Sequence, residues 1–172
     1  MVREFLSRGA NYTGALVERE MLGELRKGIE KEQYQPYNEA LDFVRENQPF
    51  DPSDPDPRFA NDLHATIADA LRLKDYKHLE FYTAVGSNLD QFHGVDAFIE
   101  WHTDPENNPK AVQRVTLDIT INPQKGESYK ADVLIYVPSE GLDPKEDREE
   151  FAELVNNTAE EILEKLSHQS KT

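Results

Sequence analysis

Two stretches decide the fold: Gly94-Val95-Asp96-Ala97-Phe98-Ile99-Glu100-Trp101 and Val115-Thr116-Leu117-Asp118-Ile119-Thr120-Ile121. Side chains of a β-strand point alternately to opposite faces. In the first stretch Val95, Ala97, Ile99 and Trp101 share one face, and Asp96, Phe98 and Glu100 share the other. In the second, Val115, Leu117, Ile119 and Ile121 oppose Thr116, Asp118 and Thr120. Both read as strands with an apolar face on a core, to which Trp101 belongs. Aspartate is depleted inside strands because it fills a pleated surface poorly and competes for backbone hydrogen bonds. Asp96 and Asp118, each mid-strand in neighbouring strands, are therefore the chemically notable pair. A sheet with one wet face produces the same alternation without any chemistry.

Working outward, His78–Val85 also alternates, and Ala131–Val137 supplies a fourth strand beside Gly94–His102 and Val112–Ile121. Asn107-Asn108-Pro109 and Asn122-Pro123-Gln124-Lys125-Gly126 are turn chemistry, short enough for antiparallel neighbours. Ahead of the strands, Val17, Met21, Leu22, Leu25 and Ile29 recur at helical spacing and predict a helix over 15–33. Pro36 restarts a shorter helix that ends near Gln48. Pro49, Pro52, Pro55 and Pro57 alternate with aspartates and make 49–57 a stiff connector. Phe59, Leu63, Ile67 and Leu71 mark a helix over 58–73, and Asp143-Pro144 opens a last helix running to about Ser167. The order predicts an α/β (α+β) fold, a mixed or antiparallel four-stranded sheet flanked by helices. Residues 1–48 are read as an N-terminal helical extension, 49–57 as the connector and 58–172 as the core domain.

The chain has 172 residues, enough to bury a core, and no cysteine, which excludes disulfides, thiolate metal sites and thiol catalysis. Thirty-four acidic against nineteen basic residues give a formal charge of −15. Coating nucleic acid through nonspecific phosphate contacts needs the opposite sign. A local grip on nucleic acid, a bound cation, or an acidic face for a basic protein partner remains compatible. The first nine residues hold no apolar run of signal-peptide length, and no stretch approaches the roughly 20 apolar residues of a membrane span. The expectation is a cytoplasmic protein that does not engage membranes, with its N-terminal helices as an element for a homodimer.

Two carboxylates on adjacent strands repel unless a hard divalent cation lies between them. Glu80 and Glu100 are further oxygen donors. A helix, a strand, Gly-Val-Asp on the next strand and Leu117-Asp118-Ile119-Thr120 on the third resemble the PD-(D/E)XK nuclease superfamily. The resemblance spans roughly residues 58–137 and implies a restriction-endonuclease-like core that hydrolyses phosphodiesters with Mg²⁺. By position it implies Asp96 and Asp118 as the metal ligands, completed by Glu100 or Glu80. The family lysine two residues after the second acid is Thr120 here. Lys125 or Lys130 is then the residue to supply the positive charge. Ile121 to Lys130 leaves no room for the helix that the family places between its third and fourth strands.

Other constellations are weaker. His64, His78, His93 and His102 match no zinc spacing. His93 lies in the segment that enters the Asp96 strand and is placed to meet a substrate, and Asp90 in the same segment is a candidate for the acid preceding the motif. Neither Ser87 nor Ser139 sits in a nucleophile elbow. The alternative function is a noncatalytic acidic adaptor on an α/β scaffold.

Overall fold

The computed structural model describes residues 10–25, 34–124 and 129–170. Helices α1 (Ala10–Leu22), α2 (Tyr37–Glu46) and α3 (Arg58–Ala70) lead through one 3-10 turn (Tyr76–His78) into strand β1 (Leu79–Thr83). A short α4 (Asn88–His93) then precedes β2 (Ala97–His102), β3 (Val112–Thr120), β4 (Val133–Tyr136) and the long α5 (Arg148–Ser170). The strands lie in the order β1-β2-β3-β4. It is a mixed four-stranded sheet flanked by helices, as the strand pattern predicts, in the restriction-endonuclease-like α/β arrangement that the resemblance implies.

The first two pairings are antiparallel, with Phe81 opposite Ile99 and Ala97 opposite Leu117. The third corrects the expectation of an antiparallel turn after β3. Strand β4 runs parallel to β3, with Leu117 beside Val133 and Ile119 beside Ile135. Residues 121–132 join the two strands, about the dozen that a parallel crossover requires. No helix occurs among the described residues of that connection.

The main core lies on the face carrying Phe81, Ile99, Leu117 and Ile119. Phe59, Leu63 and Ile67 of α3 pack there with Phe151 and Ile162 of α5. Val17, Met21 and Leu22 of α1 join the same core. Trp101 packs against it, partly buried, as its place in the alternation predicts. The opposite face is covered too. Phe98 and Tyr82 stack at 4.9 Å beneath Ala40, Leu41 and Val44 of α2 and Leu89 of α4. Asp96, Glu100, Thr116 and Asp118 are consequently all buried.

Helix α1 ends earlier than the apolar spacing predicts. Gly23 adopts φ +84°, and the chain then turns so that Leu25 N–H bonds to Val85 O at 3.2 Å. The rest of that predicted helix, 26–33, lies outside the described residues. Asp143 caps a turn by accepting from Lys145 and Glu146 N–H at 2.7 and 3.1 Å, and α5 proper begins five residues later.

The outer edge of β1 is closed from within. The Gln48 amide donates to Thr83 O and accepts from Thr83 N–H, both at 2.9 Å. Phe81 N–H reaches Pro52 O at 2.7 Å, and His64 Nε2 lies 2.6 Å from Leu79 O. The proline-rich connector thus runs along the sheet edge.

Candidate metal centre

Asp96 does not sit within β2 but in the bend just before it. Its N–H donates to Leu117 O at 2.9 Å, and its carbonyl accepts from Ala84 N–H at 2.7 Å. Its Oδ2 accepts Ile119 N–H at 2.8 Å, standing in for a strand carbonyl. The main chain of Asp96 is therefore tied to the segments on both sides, and its carboxylate to β3.

Two further acids converge on it. Asp90 lies in the first turn of α4, whose start is fixed by Ser87 Oγ accepting Asp90 N–H at 3.3 Å. Asp90 Oδ2 in turn accepts Gly86 N–H at 2.9 Å. Gly94 ends α4 with φ +67°, which returns the chain from Asp90 to Asp96 within one tight reversal. Glu18 comes from α1, next to Val17, whose burial in the main core fixes that face of the helix. Carboxylate oxygens of Glu18, Asp90 and Asp96 all lie within 4.8 Å of one another.

This crowding has an electrostatic cost. Asp96 is 3 % exposed, and its carboxyl is pushed up to about 10 by burial first, then by Glu18 and Asp90. The bond from Ile119 N–H opposes the rise without cancelling it. The donor set fits a hard divalent cation. All three donors are carboxylate oxygens, and oxygens around an ion with bonds of about 2.1–2.5 Å are themselves roughly 3–5 Å apart.

The other candidates are placed as follows. Asp118 is buried on β3, level with Asp96 when the antiparallel register is continued by one residue, but stands outside the convergent triad. Glu100 is gripped by two guanidiniums: Arg45 Nε and Nη2 at 2.8 and 2.7 Å, and Arg114 Nε at 2.8 Å. Burial pushes its carboxyl up, yet the two arginines more than offset that and hold it below the ordinary range. Both arginines also lie over the Phe98 ring, 5.7 and 6.0 Å from its centre. Glu80 accepts from Tyr82 Oη at 2.7 Å and faces His102 Nε2 at 2.5 Å. Thr120 Oγ1 accepts Asn122 N–H at 3.0 Å. The stem of Lys130 runs beside Gly94, where a methyl on Gly94 would meet Lys130 carbons at 3.7 Å. Lys125 lies outside the described residues.

Sequence reading singled out Asp96 and named Asp90 as an acid preceding the motif, but did not point to Glu18, which the fold brings beside them. Glu18 sits between apolar positions of an amphipathic helix, where acids are ordinary, and only the packing of α1 reveals it.

No family model, curated protein or solved structure matches the chain. What the fold and the triad show is coarser: a mixed four-stranded sheet flanked by helices, with a cluster of three carboxylates, one buried and two half-buried, that could coordinate a metal. Among the described residues no helix is long and apolar enough to cross a membrane.

Proposed function

We propose that this chain is a divalent-metal-dependent phosphodiesterase acting on nucleic acid, with its metal held by Glu18, Asp90 and Asp96. The observation that carries the reading is the convergence of three carboxylates, one of them buried and pushed up chiefly by that burial and further by the other two. A proton on Asp96 or a bound cation relieves that crowding, and an all-oxygen donor set suits a hard cation. Asp118 is the proposed further donor, because it lies on the strand adjoining Asp96. Mg²⁺ in such a site would polarise a phosphodiester and favour ionisation of an attacking water.

The chain's own residues do the rest. Ile119 N–H and the strand backbones fix the direction of the Asp96 carboxylate. Asp90 is fixed by Gly86 N–H and by the start of α4. Lys130, beside Gly94, is the proposed counter-charge for the substrate phosphate, in the place of the lysine that Thr120 does not provide. Lys125 is the alternative source of that charge. Glu100 lies four strand residues from Asp96, roughly 13 Å, with Glu80 opposite it, so both are set apart from an ion held by the triad and are engaged instead by Arg45, Arg114 and His102.

The test combines Mn²⁺ titration followed by electron paramagnetic resonance with cleavage of single- and double-stranded DNA and RNA in Mg²⁺ or Mn²⁺. Binding and cleavage lost together in Asp96→Asn support the reading. Divalent-ion binding that is absent, or that survives Asp96→Asn unchanged, overturns it. The formal charge of −15 favours a second reading, an acidic adaptor for a basic partner. A wild-type protein that binds no divalent ion would leave that reading standing.

A further inference from the structure

A cleft runs between α3 and α5 that neither the triad nor the sheet edges use. Helix α3 leads through the 3-10 turn to the start of β1, where Leu79 lies level with Trp101 and Gln113. The far end of α5 returns to the same level, and the Gln169 amide donates to Arg114 O at 2.7 Å. Both helices therefore end at one end of the sheet and start at the other. Phe59 meets Phe151 edge-on at 6.0 Å near the two starts. Further along, Ala65 and Ala152 are too short to fill the space between the helices, and a cleft of about 500 Å³ remains over Phe151 and Val155.

The end of the cleft at the helix starts is cationic, because Arg58, Lys145 and Arg148 all line it. Arg58 is held by Asp62 at 2.9 Å, whereas Lys145 and Arg148 make no ion pair among the described residues. Acids are not scarce in this chain, but those nearest are turned to the backbone. Asp143 accepts from Lys145 and Glu146 N–H, and Asp147 accepts from Asp143 N–H at 2.9 Å. Glu149, Glu150 and Glu153 do not line the cleft. Asp69, three helical turns from Arg58, already accepts from Tyr76 Oη.

We infer that this cleft binds a small organic anion, its phosphate or carboxylate at Lys145 and Arg148 and its apolar body over Phe151 and Val155. Size and charge select that occupant. The volume lies within the range of ordinary small-molecule sites, roughly 300–1,000 Å³. At physiological salt the field of remote acids fades within about 8 Å, so a small head group senses the two cations beside it. A polyanion would also meet the glutamates of α5. Arginine pairs with phosphate or carboxylate through two parallel N–H bonds, and the peptide dipoles of α3 and α5 both turn their positive ends this way. The cleft shares no residue with the triad, so the inference stands apart from the metal reading.

The experiment is an NMR titration of the ¹⁵N-labelled full chain, in EDTA, with phenyl phosphate, inorganic phosphate and benzylamine. Phenyl phosphate should shift the amides of Lys145, Arg148 and Ala152 saturably and bind at least roughly ten-fold more tightly than inorganic phosphate. Benzylamine, nearly the same body with the opposite charge, should give no saturable shift there. The Lys145→Gln/Arg148→Gln pair should weaken phenyl phosphate about ten-fold. Ala152→Leu, which fills the cleft, should weaken it similarly while leaving inorganic phosphate unchanged. All three positions are exposed, and unshifted core amides will report that each variant keeps its fold. No saturable shift in the wild type, benzylamine bound equally well, or binding that survives both variants overturns the inference. Inorganic phosphate bound as tightly as phenyl phosphate also overturns it, since the apolar floor would then have no part.

Discussion

Replacing Asp96 by asparagine should stabilise the metal-free protein while removing its metal. The Asp96 carboxyl is pushed up to about 10 in the fold, against about 3.9 for an unfolded aspartate. The folded state therefore keeps a proton that the unfolded state releases above pH ~4. A raised folded pKa gives a contribution fully present below the unfolded value and lost as pH rises towards the folded one. Between about pH 4 and pH 7 that is roughly three units, or about 4 kcal/mol, lost by the wild type. The asparagine variant is isosteric, keeps an oxygen for Ile119 N–H and has no proton to retain. Its stability relative to wild type should accordingly rise by about 4 kcal/mol between those pH values, near 10 °C in Tm for a chain of this size. Urea denaturation of both proteins in EDTA across that range measures it. Parallel stability-against-pH curves for the two would refute the argument, because they would mean that Asp96 ionises normally.

Other outcomes follow from the geometry. His64 is held below its ordinary range chiefly by burial, against the opposing Leu79 carbonyl and the acids Asp54 and Asp51. A lowered histidine means that the unfolded state binds the proton first, so stability should fall as pH drops below about 6.5. A His64→Gln variant should lose that limb of the pH profile. Gly23→Ala should cost about 2–3 kcal/mol, because φ is +84° and the new methyl would lie 2.9 Å from the Phe50 ring. Gly94→Ala, with φ +67° but no contact nearer than 3.7 Å, should cost only about 1 kcal/mol; equal losses on urea denaturation would discount the steric part. Arg45→Met should cost about 2–4 kcal/mol by calorimetry, since two charge-assisted bonds to buried Glu100 disappear and Arg114 alone remains. A neutral result would show that Arg114 suffices.

The sheet was legible because period-two alternation in β2 and β3 is strong and the apolar faces are continuous. What escaped was long-range. Phe98 and Tyr82 interrupt the polar face and, in retrospect, mark the layer formed by α2; alternation alone cannot say that a helix covers it. The parallel course of β4 was hidden because a turn-like segment of minimal crossover length reads the same as a longer hairpin loop. Asp96 was identifiable as an odd acid in a strand context, yet its place in the bend before β2 depends on Gly94 and on the bond to Ile119. Glu18 carried no local signal at all. Its place beside Asp90 and Asp96 comes from how α1 packs before it ends at Gly23, a fact of packing that no window of sequence contains.

The closed edge of β1 bears on how the molecule behaves in crowded solution. A bare edge strand offers a row of donors and acceptors to any passing chain and invites aggregation. Here Gln48, Pro52 and His64 occupy the outward groups of Leu79, Phe81 and Thr83. Prolines in the segment alongside have no N–H with which to extend the ladder. On that side the outward groups are already taken, and Gln48→Ala, which frees the Thr83 N–H and carbonyl, should raise self-association in analytical ultracentrifugation.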